Sequence, residues 1–181
     1  MKPESWGVVH GELEACCAEF FSHCGVVARC EGSLASNEPP ASGVIAFIGF
    51  SGAKLSGSLA LVLPQLLLEQ THPMRGKITG DPLAAFHDWA GEISNQILGQ
   101  LKNRLLRHGI VLQLCTPMTM QGTELRGRVD PREGFARLRF RAAESTFDLH
   151  FDATAEPEVE LSPLESTESN DAAEQGECLL F

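Results

Sequence analysis

Residues 81–109 read DPLAAFHDWAGEISNQILGQLKNRLLRHG and predict one long helix around which the rest of the chain is organised. Asp81 and Pro82 supply an N-cap and a first-turn proline, and basic residues followed by Gly109 are typical of a helix end. Apolar residues recur between these limits at spacings of three and four, which gathers them on one helix face. They are Phe86, Ala90, Ile93, Ile97, Leu101 and Leu105. The sequence therefore predicts that this face is buried.

The opposite face of the same helix carries an unusual set of residues. At roughly 100° per residue, Asp88, Glu92, Asn95 and Gly99 cluster about opposite the centre of the apolar stripe. Glu92 and Asn95 are three residues apart, so an acid and an amide stand side by side, and Gly99 lets another backbone come close. Asparagine and glycine each cost up to about 1 kcal/mol relative to alanine inside a helix. A function other than helix stability would explain them, although a polar pair on such a face is most often only solvated surface.

The remaining periodicity predicts an α+β fold, with long helices packed on one face of a largely antiparallel sheet. Alternating or apolar runs predict strands and hairpins, and an amphipathic pattern predicts a first helix. In chain order we expect a helix at 6–23, a strand at 25–30, a hairpin of 44–50 with 54–63, a short helix from Pro64, the long helix, a strand at 110–116, an edge or loop at 118–122 and a hairpin of 135–141 with 147–151.

Charge divides the 181 residues into two parts. The net charge is −10, and residues 154–181 contain eight acids and no Lys or Arg, which leaves −2 for the rest. This composition predicts a folded domain at 1–152 and a disordered acidic tail at 153–181. Neither part has the basic surface that a phosphate backbone requires, which argues against a nucleic-acid partner.

The sequence lacks the motifs of several other classes of protein. The sequence has no signal peptide pattern and no apolar run long enough to span a membrane, so a cytoplasmic location is predicted. Its six cysteines form no CxxC pair and are interpreted as reduced core thiols, and its histidines show no metal-ligand spacing. We therefore expect no metal or other cofactor bound by this chain. Residues 49–52, GFSG, are explained as a tight turn between two strands rather than a phosphate loop.

Glu92-Ile93-Ser94-Asn95 followed by Gly99, read with GFSG at 49–52 and with Pro117 and Gly122, resembles a known family. The pattern is similar to that of the CheX, CheC and FliY chemotaxis phosphatases, over about residues 7–152. Those proteins carry an ExxN motif on a long exposed helix and hydrolyse the aspartyl phosphate of CheY-type response regulators.

The resemblance implies a role for each residue of the outer face. Asn95 would orient the attacking water, Glu92 would pair with a lysine of the phosphorylated receiver, and Asp88 and Gly99 would contact the partner. The receiver would bring its own Mg²⁺, so the chain itself needs no cofactor.

The first predicted helix has no second ExxN, which resembles CheX rather than CheC. CheX-like members form homodimers through their sheets, so residues 135–151 are a candidate dimer interface. Two alternatives stay open: a non-catalytic receiver-binding or scaffold module, and a structural protein of the flagellar-switch type. The acidic tail also leaves open which signalling pathway supplies the receiver.

Overall fold

The computed structural model of the protein describes residues 1–34, 42–78, 80–121 and 133–161, and its described part confirms the predicted α+β class. Within these described ranges, three helices and seven strands follow one another. They are α1 (Pro3–His23), β1 (Ala28–Ser33), β2 (Val44–Ser51), β3 (Leu55–Leu63), α2 (Gln65–Thr71), α3 (Pro82–Leu106), β4 (Gln113–Leu114), β5 (Met118–Met120), β6 (Phe135–Ala142) and β7 (Ser145–Ala155).

The strands form one antiparallel sheet in the order β1-β6-β7-β3-β2-β4, with β5 also paired to β2. Strict alternation along β2 places Val44, Ala46, Ile48 and Phe50 in the core. Helices α1 and α3 pack on this buried face and against each other. Aromatic rings fill the space below them: the centroids of Phe21 and Phe147 are 4.7 Å apart, and Phe147 stacks on Phe140 at 5.0 Å.

An ionic clamp joins the two long helices. Arg104 of α3 donates to Glu12 and to Glu19 of α1, each at 2.5 Å. The two glutamates are seven residues apart, so they lie on the same face of α1 and can be reached by one guanidinium. The clamp fixes how α1 lies along the C-terminal half of α3.

Two predicted strands begin later than the sequence pattern indicated, for the same reason. Gly25 and Gly109 adopt φ values of 78° and 69° directly after α1 and α3. The N–H groups of Val26 and Ile110 then donate to Phe21 and Leu105, as in a glycine-terminated helix end. Residues next to each glycine are therefore committed to the helix end, so β1 starts at Ala28 and the strand predicted at 110–116 is reduced to β4.

The packed part of the chain continues past residue 152, where the domain was predicted to end. Strand β7 runs to Ala155, and Val159 and Leu161 are buried in the core. Leu161 N–H donates to the Ser5 hydroxyl at 2.9 Å, which fastens residues 156–161 to the start of α1. Residues 162–181, 35–41, 79 and 122–132 lie outside the described residues, so the rest of the predicted tail and Gly122 are not described. None of the described helices has the length and apolarity needed to cross a membrane.

His10 makes the folded state sensitive to acid. Its ring lies 6.1 Å from Trp6 and 6.2 Å from Phe151, centroid to centroid, and burial lowers its pKa. The folded state therefore favours the neutral form of His10. The stability that this preference contributes is fully present above the unfolded-state pKa of about 6.5. It is lost as the pH falls through the lower pKa that His10 has in the folded state.

We expect the free energy of unfolding to decrease less between pH 7.5 and pH 5.5 in His10→Phe than in the wild type. The measurement is urea denaturation followed by circular dichroism. The carboxylates and other histidines are shared by both proteins, so the difference between the two curves isolates His10. His23→Gln, an exposed position of the same helix, is the matched control. Parallel curves for wild type and His10→Phe would contradict the interpretation.

Candidate functional site

The uncovered face of α3 brings together all four residues that the sequence singled out. Asp88 and Glu92 are exposed, and Asn95 and Gly99 are half-buried one and two turns further along. The two residues between Glu92 and Asn95 face inward, since Ile93 and Ser94 are both fully buried. An acid and an amide are thus held about 4.5 Å apart along the helix axis, on a rigid element whose rotation is fixed by its buried side chains.

Glu92 and Asn95 differ in their local contacts. Gln96 Nε2 donates to Glu92 Oε1 at 2.6 Å, one turn along the helix, which restricts the rotamers of the carboxylate. For the Asn95 amide no hydrogen-bond partner is found among the residues that the structure describes. The acid is therefore held in place, whereas the amide keeps its donors and its acceptor available.

The segment that follows α3 packs against one side of this outer face. A Cβ added to Gly91 would lie 3.6 Å from Thr119 Cγ2 and 3.7 Å from Pro117 Cγ, so β5 and Pro117 pack directly against the helix backbone. His87 Nδ1 and Thr119 Oγ1 share a hydrogen bond of 3.0 Å. Sequence reasoning did not find this support, because it depends on a pairing between α3 and a strand that is distant in sequence.

The same N-terminal half of α3 is also joined to α2 through a tryptophan. Trp89 Nε1 donates to Thr71 Oγ1 at 3.0 Å, and Thr71 Oγ1 in turn donates to the Leu67 carbonyl oxygen at 2.8 Å. The His72 ring lies 5.8 Å from the Trp89 ring. The helix turn that precedes Glu92 is therefore held by polar contacts as well as by its apolar face.

A shallow depression of about 310 Å³ lies beside Asn95, toward the C-terminal half of α3. Gly99 is part of its lining, and Leu114 of β4 forms part of its wall. Its lining residues are Asn95, Gln96, Gly99, Gln100, Lys102, Asn103 and Leu114. No site role was predicted for Gln96, Gln100, Lys102 or Asn103. Gln100 follows Gln96 by four residues, and Lys102 and Asn103 follow Asn95 and Gln96 by seven, which already places them near the same helix face.

The cysteines fit the expectation of core thiols only in part. Cys16 and Cys17 are buried thiols, and burial raises the pKa of Cys16 to about 11, so this thiol stays protonated at neutral pH. Cys115 is exposed and is not a core thiol, and Cys178 lies outside the described residues. Within the described ranges, no group of three or more His, Cys, Asp or Glu side chains is placed to hold a metal ion.

The sequence model of the family described as "Chemotaxis phosphatase CheX" matches residues 44–141, which is more than half of the chain and includes all of α3. The chain belongs to the CheX family. This confirms the resemblance drawn from the ExxN pattern. No curated protein matches the chain by sequence.

Solved structures with the same fold include several chemotaxis proteins. CheX from Desulfovibrio desulfuricans is 18% identical with a TM-score of 0.66, covering 82% of this chain and 99% of that one. CheX from Vibrio vulnificus is 17% identical with a TM-score of 0.69, covering 79% and 97%. A chain of the CheX-CheY-BeF₃-Mg²⁺ complex from Borrelia burgdorferi is 12% identical with a TM-score of 0.60, covering 79% and 96%. At these identities the likeness establishes the fold.

We expect Gly99 to lower the stability of this protein, because a glycine weakens a helix and the packing around this position does not require one. A Cβ added there would meet nothing within 4 Å, and the same is true of Gly11 in α1. Glycine inside a helix costs about 0.8–1.0 kcal/mol relative to alanine. We therefore expect Gly99→Ala and Gly11→Ala each to raise the free energy of unfolding by up to about 1 kcal/mol, measured by urea denaturation. A loss of stability in Gly99→Ala alone would show that the glycine has a structural role in the free chain.

Proposed function

We propose that this protein accelerates hydrolysis of the aspartyl phosphate of a CheY-type response regulator, and that the uncovered face of α3 is the surface that docks the phosphorylated receiver. The observation that carries the proposal is the presentation of Glu92 and Asn95 side by side on that face, in a chain of the CheX family. The Borrelia structure of similar fold is of a CheX bound to CheY with BeF₃ and Mg²⁺, which supports a receiver as the partner.

Asn95 is suited to position water. A phosphorylated receiver of this type already holds Mg²⁺ and a lysine near the acyl phosphate, so a phosphatase need add only an aligned nucleophile. A primary amide accepts from a water hydrogen with its carbonyl oxygen and donates with its NH₂. The water oxygen would bond to phosphorus as the bond to the aspartyl oxygen breaks, which releases inorganic phosphate, the receiver carboxylate and a proton to solvent.

Glu92 is suited to docking, because an exposed carboxylate can pair with the receiver lysine. The hydrogen bond from Gln96 holds this carboxylate before the partner arrives, which reduces the conformational entropy lost on binding. Asp88 adds a second negative charge one turn earlier on the same face. Steering by these acids would raise the association rate and fix the register of the receiver.

The chemistry needs no covalent intermediate on this chain and no cofactor of its own. The Mg²⁺ belongs to the receiver. The competing function is a non-catalytic receiver-binding or scaffold module, which would use the same face of α3. Loss of acyl phosphate from purified phosphorylated receivers of the same organism, with and without this protein, separates the two.

Four substitutions at two positions test the separate roles of Asn95 and Glu92. Asn95→Ala should lower the catalysed rate by on the order of 10² or more, the scale of losing a positioned reactant, while receiver binding changes little. Asn95→Asp should fail as badly, because it loses the donor and puts a negative charge beside the phosphoryl group. Glu92→Ala should weaken the complex, and Glu92→Lys should weaken it further by placing two cations together.

The measurements are single-turnover loss of acyl phosphate and binding of the activated receiver by calorimetry. Circular dichroism is the control for the fold, and alanine at either position should favour the helix if anything. Full activity of Asn95→Ala on a receiver that the wild type dephosphorylates would remove this mechanism and leave the binding module as the better account.

We also propose a sheet-mediated homodimer, with its interface on the part of the sheet that exposes apolar side chains. The outward side chains of β6 and β7, the interface suggested by the resemblance, are mostly charged, and Arg139 Nε donates to the buried Asp148 at 2.8 Å. Apolar side chains instead reach the outer surface on β2 and β5, where Phe47, Met118 and Met120 are exposed. Paired positions of an antiparallel sheet share a face, and Phe47 is paired with Met118.

We expect light scattering to give twice the 19.6 kDa chain mass and Phe47→Asp to reduce it to the single mass, since a buried unpaired charge opposes association. Arg141→Asp, on the exposed surface of β6, is the control and should leave the mass unchanged. A wild-type monomer at tens of micromolar would contradict the dimer. Loss of the dimer in Arg141→Asp alone would place it on β6 and β7.

A further inference from the structure

The outer face of the sheet, on the side away from α1 and α3, carries a row of arginines. Alternation along β6 turns Arg137, Arg139 and Arg141 outward, since the residues between them are buried. Arg29 of β1 is paired with Arg141 and therefore shares that face. We call these four residues the arginine row. Because the helices cover the opposite side of the sheet, the row is separate from the candidate docking face of α3.

The charge of this part of the sheet is positive overall. Strands β1, β6 and β7 contribute four arginines and three acids to the outer face, in a chain whose net charge is −10. The three acids are Glu31, Asp148 and Asp152. His150 lies on the same face, and burial and the nearby Arg137 lower its pKa, so this ring is neutral at neutral pH. The arginine row is therefore a cationic surface on an acidic protein.

Arg29 and Arg141 repel each other at one end of the row. They are directly opposite in an antiparallel pair, where Cβ atoms lie about 4.5–5.5 Å apart and like charges are destabilising. Arg141 Nε donates to Glu31 at 2.6 Å. For the exposed Arg29, no ion pair or hydrogen bond is found among the residues that the structure describes. A further anion at this end of the row would offset the repulsion.

The chain itself contains a segment of the complementary charge. Residues 162–181 lie outside the described structure and contain five acids and no Lys or Arg. The acids recur at every third position: Glu165, Glu168, Asp171, Glu174 and Glu177. At about 3.3 Å per residue, neighbouring acids of an extended chain would be about 10 Å apart, and the row from Arg137 to Arg141 is about 14 Å long. Two of the acids can therefore lie over the row at once.

The segment begins beside the start of β6. Leu161 N–H donates to Ser5 Oγ at 2.9 Å, and Trp6 follows Ser5 in α1. A Cβ added to Gly134, the residue before β6, would lie 2.8 Å from Trp6 Cη2. Twenty residues span up to about 66 Å when extended, whereas β6 is about 27 Å long. The whole arginine row is therefore within reach of residues 162–181.

We propose that residues 162–181 of the same chain lie on the arginine row, with their acids paired to Arg29 and Arg141. The contact is ionic and does not require the segment to fold, because opposite charges attract in many arrangements. It offsets the repulsion between the two arginines and holds five acids on the side of the sheet away from α3. This inference is independent of the proposed function, since it involves no residue of the candidate site.

A nitroxide spin label on Cys178 tests the contact in the full chain. The exposed and half-buried cysteines of the described residues are first replaced by serine: Cys24, Cys30 and Cys115. In ¹⁵N-labelled protein, the amide signals of Arg29 and Arg141 should lose intensity relative to the reduced label, whereas the signal of Glu92 on α3 should keep it. Salt at about 1 M should restore the lost intensity, because it shortens the screening length to about 3 Å.

Paired charge reversals show whether the arginine row is the surface that is bound. Arg29→Glu combined with Arg141→Glu should abolish the intensity loss. Arg75→Glu combined with Lys77→Glu is the matched control, because it reverses two exposed cations elsewhere and changes the net charge equally. Arg29→Lys combined with Arg141→Lys should retain the loss, since lysine keeps the charge. Circular dichroism checks that each variant is folded.

Arginine side-chain signals give a second measurement on protein without a label. Replacing the five acids of residues 162–181 with the corresponding amides should shift the Nε–H signals of Arg29 and Arg141. The Nε–H signal of Arg75 is the reference and should stay in place. This comparison leaves the described part of the chain unaltered, so it tests the contact even if the paired arginine variant fails to fold.

Each result supports or overturns the proposal. Loss of intensity at Arg29 and Arg141 that disappears in the paired reversal and persists in the Arg75 and Lys77 control supports it. Unchanged intensity at both arginines with the label on Cys178, or unshifted Nε–H signals in the amide variant, would overturn it. The same loss in unlabelled ¹⁵N protein mixed with spin-labelled ¹⁴N protein would place the segment on a second copy and overturn docking within one chain.

Discussion

Burial of one face of α3 against the sheet determines what its opposite face can present. A change of register by one residue would rotate the helix surface by about 100° and would bring Ile93 or Ser94 outward in place of Glu92 or Asn95. The apolar stripe from Phe86 to Leu105 opposes such a rotation, since exposing one of these side chains costs about 1.5–3 kcal/mol. Polar contacts of His87, Trp89 and Arg104 also resist rotation of the helix. The candidate site is thus positioned by the core and needs few contacts among its own side chains.

The same face carries features that a helix selected only for stability would lack. Asn95 and Gly99 both lower helix propensity, each by up to about 1 kcal/mol relative to alanine. The large core beneath can offset this small cost. Costs of this kind collect where a surface is kept ready for a partner, because binding groups that are already satisfied within the free chain have nothing to offer.

Periodicity predicted the fold where the determining contacts are local, and failed where they are not. The stripe of α3, its Asp81 cap and the β2–β3 and β6–β7 hairpins were all readable, since spacing and turn residues fix them. The commitment of Val26 and Ile110 to helix ends was not, because apolar residues after a glycine are equally typical of a strand. Burial of Val159 and Leu161 was not predicted, because both lie within an acidic segment. It depends on the contact of this segment with the start of α1. For the site, helical angles placed Asp88, Glu92, Asn95 and Gly99 together, but the depression also needs Leu114 and therefore the tertiary position of β4.

Charge is arranged along the outer face of α3 in a way that favours one orientation of a partner. Asp88 and Glu92 lie in its N-terminal half, and Lys102 lies about 15 Å from Glu92 toward its C-terminus. Under the proposed function, a receiver lysine would be attracted to Glu92, and reversal of the receiver along the helix would place that lysine beside Lys102. Asn95 lies between these charges and is neutral, so it could contact a phosphoryl group without repelling it. The order of acid, amide and base along one rigid helix therefore sets direction through its ends and leaves the uncharged middle for close approach.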